Sequence, residues 1–341
     1  MKASEDPSKK EIDSLYPITA IRKFADLNIG IFTVRKKWEL LGIFQMIGAE
    51  AQINSRMVLP TTQTASLVGQ NRLQDAIDQA SSIKTLWEFL SSNAAMIKLD
   101  YEMIKGSAES QSISPTNHLI NEQGIFAEPG AVAEHSVLDA SAGPIFLGKN
   151  STIMAGCSIR GPFSLGEGSV VKMNSRIYGA TTVGTGSVVG GELKNVIIGN
   201  YSSKAHDGYL GDSIIGNWCN IGAGTSNSNV KNTAGDIMVW FEKEGRYLNA
   251  GSKFGMIMGD YSRCAINTAF NSGTVVGICA NVFGVGLTPN LIKDFTWGYG
   301  QTLYEFDKAM QHINNWKKLK NQDINPDEFD SLRRIFEQSK K

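Results

Sequence analysis

Between Leu147 and Lys194 an aliphatic residue returns every six positions: Leu147, Ile153, Ile159, Leu165, Val171, Ile177, Val183 and Val189. The fifth place of each unit is usually small, with Ser151, Cys157, Ser169, Ser175, Thr181 and Ser187; Phe163 and Leu193 are the exceptions. A helix repeats at 3.6 and a strand at 2, and neither accounts for a period of six. A hexapeptide period predicts a β-helix, in which each unit supplies one short strand and one corner and three units make one triangular coil. The aliphatic residue points into the prism and the small one fits beside the corner. One coil cannot bury its own faces, so the coils must stack into one continuous core.

The sixes begin at Phe126 and shift briefly at Pro144 to Phe146 and again after Lys194. They break at Ser226 and return from Met258 to Val282. Twenty full or near-full units predict between six and seven coils. MVWF and RYLN, around Glu244-Gly245, predict a β-hairpin thrown out of the coil within about 230–256. Residues 1–110 lack the period and predict a small α/β domain, with helical spacing at Leu73, Ile77, Leu86, Phe89, Leu90, Ile97 and Ile104. The small, polar run Gly106 to Asn117 is read as a linker to a β-helix over 118–290. Residues 291–341 form a C-terminal extension of two amphipathic helices, the second started by Asn325-Pro326-Asp327. They are expected to cap or buttress the open end of the prism. The expected class is therefore mainly β.

Composition narrows the functions. Hydrophobic content of 42% with 19% charged residues predicts a globular chain. Lys+Arg and Asp+Glu balance at 33 each, which gives no reason to expect nucleic acid or a membrane surface as partner. The polar start MKASEDPSKKE and the lack of a long apolar run make the cytoplasm the expected location. Cys157, Cys219, Cys264 and Cys279 have no CxxC spacing and are read as reduced core residues. His118, His135, His206 and His312 are too scattered for a three-histidine zinc site, so no metal site is expected in the β-helix.

A β-helix does not name a function; the place where its period is disturbed is more informative. Lys204 to Asn229 is rich in polar residues where corners should be plain, and His206 lies at one such corner. The unperturbed pKa of histidine as a residue type lies near neutrality, which suits deprotonating an amine or hydroxyl nucleophile. The competing reading is a surface histidine without chemistry.

The run His206-x-x-Tyr209-Leu210-Gly211-Asp212, followed by Asn220-Ile221-Gly222-Ala223-Gly224-Thr225, resembles the acetyltransferase half of the bifunctional bacterial enzyme that makes UDP-N-acetylglucosamine. GPFSL, VKMNSRIYGATTVG, NSNVKN, MGDYSRCAINTAFNSGTVVG and the closing FTWG are similar to the variant, "alternative" form of that family. So is LYPITAIRKFADLNIGIFTVRKKWE, which matches its LxPLTxxRPxA-type opening. The resemblance implies a left-handed β-helix, acetyl-CoA as cosubstrate, glucosamine 1-phosphate as acceptor, and a homotrimer with the site between subunits. It implies His206 as catalytic base, Lys172 and Lys194 on the sugar phosphate, Tyr209 and Asn220 on the sugar, and Ala223 and Asn229 near the thioester. Lys172 stands where the family has arginine, a cation without the bidentate fork. Val230 stands where it has tyrosine. Arg22 matches the arginine of the TxxRP stretch, as a nucleotide-binding residue, but Lys23 replaces the proline.

Nucleotidyl transfer needs a phosphate cradle and a carboxylate for Mg²⁺. Residues 1–29 contain no glycine, and about a hundred residues is short for such a domain. Either the region is reduced to a structural role or its site has been rebuilt, and Mg²⁺ is expected only if it is active. The alternatives to acetyl transfer are therefore nucleotidyl transfer onto a hexose 1-phosphate and a catalytically weak scaffold.

Overall fold

The structure, a computed structural model, describes residues 13–106, 109–300 and 302–340. Its centre is a parallel β-solenoid. All eight unit-opening aliphatics from Leu147 to Val189 are at most 2% exposed, and the small residues at the fifth places are equally buried. Strands stack in register, as in Thr152↔Val170↔Val188↔Ser203 and Ile153↔Val171↔Val189↔Lys204. The small positions carry hydroxyls for a reason. Ser169, Ser187 and Ser202 each donate to a corner carbonyl, of Gly184, Gly199 and Gly216, at 2.6–2.7 Å. A buried carbonyl that the ladder cannot reach is thereby satisfied.

The solenoid is longer than the count of sixes. One face alone is an eight-stranded ladder, so there are at least eight coils, not six to seven. Three features hide the extra ones. The expected linker already pairs with the first coil: Gln111 N–H donates to Ala127 O, and Ala127 N–H to Ser110 Oγ. Glu192–Ile198 and Tyr209–Ile215 are seven-residue strands that each serve two faces. The coil also continues past Ser226, since Ser226–Asn227 pairs with Ala269–Phe270. The expected hairpin follows, Met238–Phe241 against Arg246–Asn249.

The α/β region before residue 110 is mostly helical. Among the described residues its strands are two antiparallel pairs of two residues each, Asn28–Ile29 with Phe32–Thr33 and Val58–Leu59 with Ser81–Ser82. It shares one apolar cluster with the outside of the solenoid. Ile197, Ile214, Ile257 and Val275 form an outward column on one face, and the helices Leu86–Ser91 and Asn93–Ile104 lie over that face with the hairpin. Trp87 bridges them, edge-on to Phe254 at 6.3 Å. Asn93 joins the two parts: it accepts from Gly30 N–H and from Thr182 Oγ1, and donates to Ala180 O.

One corner of the solenoid carries a column of Asn and Asp. Asn217 and Asp260 each accept a backbone N–H from the neighbouring coil, at 2.8 and 2.7 Å. The N-terminal segment runs along this column as a strap. Asn28 donates to Asn200, Arg22 to Asp260 and the Tyr16 hydroxyl to Asp294. Next to the same column Tyr201, Trp218, Tyr261, Cys279 and Phe295 all take positive φ. The C-terminal helices Phe306–Lys318 and Pro326–Ser339 rest on these side chains, so they buttress a flank of the late coils. The end itself is covered by a loop: a Cβ on Gly284 would lie 2.4 Å from the Tyr299 ring. The expected helix start is present, with Asn325 and Glu328 forming a reciprocal cap around Pro326.

Candidate functional site

The corner that follows Val171, Lys204 and Ile221 varies in length from coil to coil. Four residues, Lys172 to Ser175, separate the paired positions Val171 and Arg176. In the next coil only Gly190 and Gly191 separate Val189 from Glu192. In the one above, four residues, Ala205 to Gly208, again separate Lys204 from Tyr209. The glycine pair is therefore a notch, two residues short, between the corners of Lys172 and His206. The backbone of His206 to Gly208 settles into it. A Cβ on Gly191 would lie 2.9 Å from the carbonyl oxygens of both His206 and Gly208, and Gly191 has φ +74°. Only glycine tolerates both conditions.

His206 stands exposed at this corner. Strand register puts Ala223 at the same corner one coil further on, and Gly224 N–H donates to Asp207 O at 3.0 Å. Lys172 is half-buried at the same corner on the far side of the notch.

The adjoining face carries Lys194, Tyr209 and Asn229. Lys194 is exposed and in register with Gly211. The Tyr209 ring lies across Gly211, where a Cβ would come within 2.1 Å of the hydroxyl, so that hydroxyl sits beside Lys194's strand position. Asn229 donates to the Tyr209 hydroxyl at 3.1 Å and to Asp212 Oδ2 at 2.5 Å. Asp212 also accepts from Asn195 at 2.6 Å. Burial, and after it the carboxylates of Asp212 and Glu192, push the Tyr209 hydroxyl up to about 12. At neutral pH it is a phenol, able to donate a hydrogen bond to an anionic or carbonyl oxygen.

Two of the expected residues lie elsewhere. Asn220 is on the other face meeting this corner, in an outward column with Ser203 and Arg263. Arg22 is at a different corner, and its guanidinium is taken up by Asp260. It therefore joins none of the other expected site residues.

The sequence reading gave no role to Asp212, which ties Asn195, Asn229 and, through Asn229, Tyr209 into one network. It also passed over Lys204, which occupies an inward position where the adjoining coils have Val189 and Ile221. The signal was available: a lysine opens a unit that the period reserves for an apolar residue. Among the described residues no group of His, Cys, Asp and Glu could hold a metal ion, and no helix is long and apolar enough to cross a membrane.

Comparison with known proteins gives partial matches. No family model matches the chain. A Methanococcus aeolicus protein described as bifunctional protein GlmU is 35% identical over 86 residues, covering 25% of this chain and 20% of that protein. A Sulfurisphaera tokodaii bifunctional sugar-1-phosphate nucleotidylyltransferase/acetyltransferase is 29% identical over 111 residues, 32% of this chain and 26% of its own. The chain thus spans about a fifth to a quarter of the length of these curated relatives. Among solved structures, the polySia-specific acetyltransferase NeuO is 13% identical with a TM-score of 0.21, over 57% of this chain and 78% of its own. A perosamine N-acetyltransferase from Caulobacter crescentus, in complex with CoA and GDP-perosamine, is 12% identical with a TM-score of 0.15, over 59% of each chain. At those scores the resemblance carries no argument about the site.

Proposed function

We propose that the chain is a transferase that moves an acetyl group from acetyl-CoA to the amine of a sugar phosphate of the glucosamine 1-phosphate type, in the formation of a UDP-amino sugar. The observation that carries this reading is the notched corner. It holds an exposed imidazole between a lysine on the same corner and a lysine–tyrosine pair on the adjoining face. The description of the Sulfurisphaera tokodaii relative as a bifunctional sugar-1-phosphate nucleotidylyltransferase/acetyltransferase supports it.

In this mechanism His206 takes a proton from the sugar amine as the amine nitrogen attacks the thioester carbonyl. The C–N bond forms, the tetrahedral intermediate collapses with loss of the C–S bond, and the thiolate of CoA leaves and takes the proton from the His206 imidazolium. Lys172 and Lys194 hold the phosphate. The Tyr209 phenol donates to the sugar, and Asn220 contacts it from the other face. Ala223 and Asn229 flank the acetyl end. A homotrimer, in which a second solenoid closes the open corner, belongs to the same proposal.

Nucleotidyl transfer has no comparable support, because Arg22 is already paired and the region holding it is built on short helices. Mg²⁺ enters only with that activity. The test is thiol release from acetyl-CoA in the presence of glucosamine 1-phosphate. A His206→Ala protein that remains folded and turns over at the wild-type rate overturns the proposal.

A further inference from the structure

Lys204 is 3% exposed and points into the prism, with Val189 beneath it and the Ile221 position above. Its ammonium donates to the carbonyls of Gly190, at 3.2 Å, and of His206. Those two carbonyls belong to the notch and to the corner that settles into it. The effect on the ladder is visible one coil away. Asn267 N–H donates to Ala223 O, one residue before its own register partner. By the same rule Gly224 N–H should take His206 O, yet it takes Asp207 O. The His206 carbonyl has left the ladder and is held by Lys204 instead.

This is a costly way to fill a core position. A buried ammonium loses its hydration, and an apolar side chain packs the same space without that cost. Two neutral carbonyls are modest compensation. The carboxylate that acts on it is Asp207, and the Cys264 thiol faces Lys204 from the coil beyond Ile221. Burial lowers the Lys204 amine to about 8, with Asp207 acting the other way. Stability alone does not explain a lysine here, whereas fixing the peptide of the residue that carries the imidazole does.

We infer that Lys204 is a positioning residue, whose ammonium pins the His206 peptide in the Gly190-Gly191 notch and so sets the direction of the imidazole. The inference rests on the acetyl-transfer reading only for its kinetic consequence; the pinning itself has an independent readout.

The test uses the full chain with Lys204→Met, which keeps length and fits an apolar column, and Lys204→Gln, which keeps a donor. Lys204→Met is expected to melt at or above the wild-type temperature. Its kcat should fall at least tenfold with little change in KM for acetyl-CoA, and the fall in rate expected of the wild type as pH rises through about 8 should be absent. Lys204→Gln should recover part of the loss. Independently of any activity, the His206 ring C–H resonances in the NMR spectrum should shift or broaden in Lys204→Met and move back in Lys204→Gln. Unchanged resonances in a folded Lys204→Met protein overturn the inference. If the resonances respond but neither protein acetylates a sugar phosphate, the positioning role stands and the proposed reaction fails. If Lys204→Met does not fold, Lys204→Ile, which repeats the residue of the next coil, takes its place with the same outcomes: displaced His206 resonances support the pinning and unchanged ones overturn it.

Discussion

Arg22 grips both carboxylate oxygens of Asp260, Nε to Oδ2 at 2.9 Å and Nη2 to Oδ1 at 2.6 Å. Asp260 also accepts Asn217 N–H at 2.7 Å, so one buried carboxylate ties the N-terminal strap to the corner of the solenoid. The Asp260 side chain is 2% exposed. Removing one partner of such a pair leaves the other charge buried and unmatched. Arg22→Ala is therefore expected to destabilise the fold by roughly 3–5 kcal/mol, read by chemical denaturation. Lys, which lacks the fork, should rescue only in part. A stability close to wild type would return Arg22 to the pool of residues free for a ligand.

Higher up the same strap, Tyr16 donates to Asp294. Burial raises the Asp294 carboxyl to about 6, against the hydrogen bonds from Tyr16 and Ile278 N–H that lower it. The folded protein thus holds its proton at a pH where the unfolded chain has released it. The stabilisation is complete below about pH 4 and is lost as pH rises through 6, a span of roughly 3 kcal/mol. Melting temperature should fall over that window, and Asp294→Asn should flatten the fall.

His206 is exposed, so His206→Ala should leave the melting temperature unchanged. The loss of a general base should lower acetyl transfer by roughly 10²–10⁴-fold. Steady-state rates and a thermal melt on the same preparation check both halves.

Gly191→Ala should act on the same step from a distance. The new methyl meets the His206 and Gly208 carbonyls at 2.9 Å, and the φ of +74° adds strain of about 1 kcal/mol. The expected result is a folded protein whose kcat drops while the solenoid's circular dichroism is unchanged.

Deleting residues 1–105 should not yield a free, soluble solenoid. It would expose Ile197, Ile214, Ile257 and Val275 in one contiguous column. An apolar strip of that kind on a sheet face favours aggregation. The intact chain should unfold in a single transition by both circular dichroism and tryptophan fluorescence.

The solenoid was legible in the sequence because its core obeys one rule per coil. Every aliphatic opening a unit from Leu147 to Val189 is buried as the period requires. What escaped the period were changes of length at a corner. VGGELK reads as an ordinary unit, yet its Gly190-Gly191 corner is two residues short, and Glu192–Ile198 runs on as one strand that reaches the next face one residue earlier still. Lys204 departs from the period openly, as a lysine at an inward position, but its partners are backbone carbonyls, so the pattern does not say what it holds. The spacing of the N-terminal region showed its helices but not their partner, because its hydrophobic residues answer to the outside of another element. Ile53, Ile77 and Phe89 share a cluster with Ile214 and Ile257, so their spacing reports a surface far away in sequence.

The shortened Gly190-Gly191 corner also says how such a chain can be altered over generations. Corners of a solenoid lie outside the stacked core, so adding or removing residues there leaves every inward side chain in its column. A two-residue deletion in one coil is enough to reorient the loop of the next. Geometry at His206 can then be tuned by chain length in a neighbouring coil, through insertions and deletions that a comparison of substitutions alone would never register.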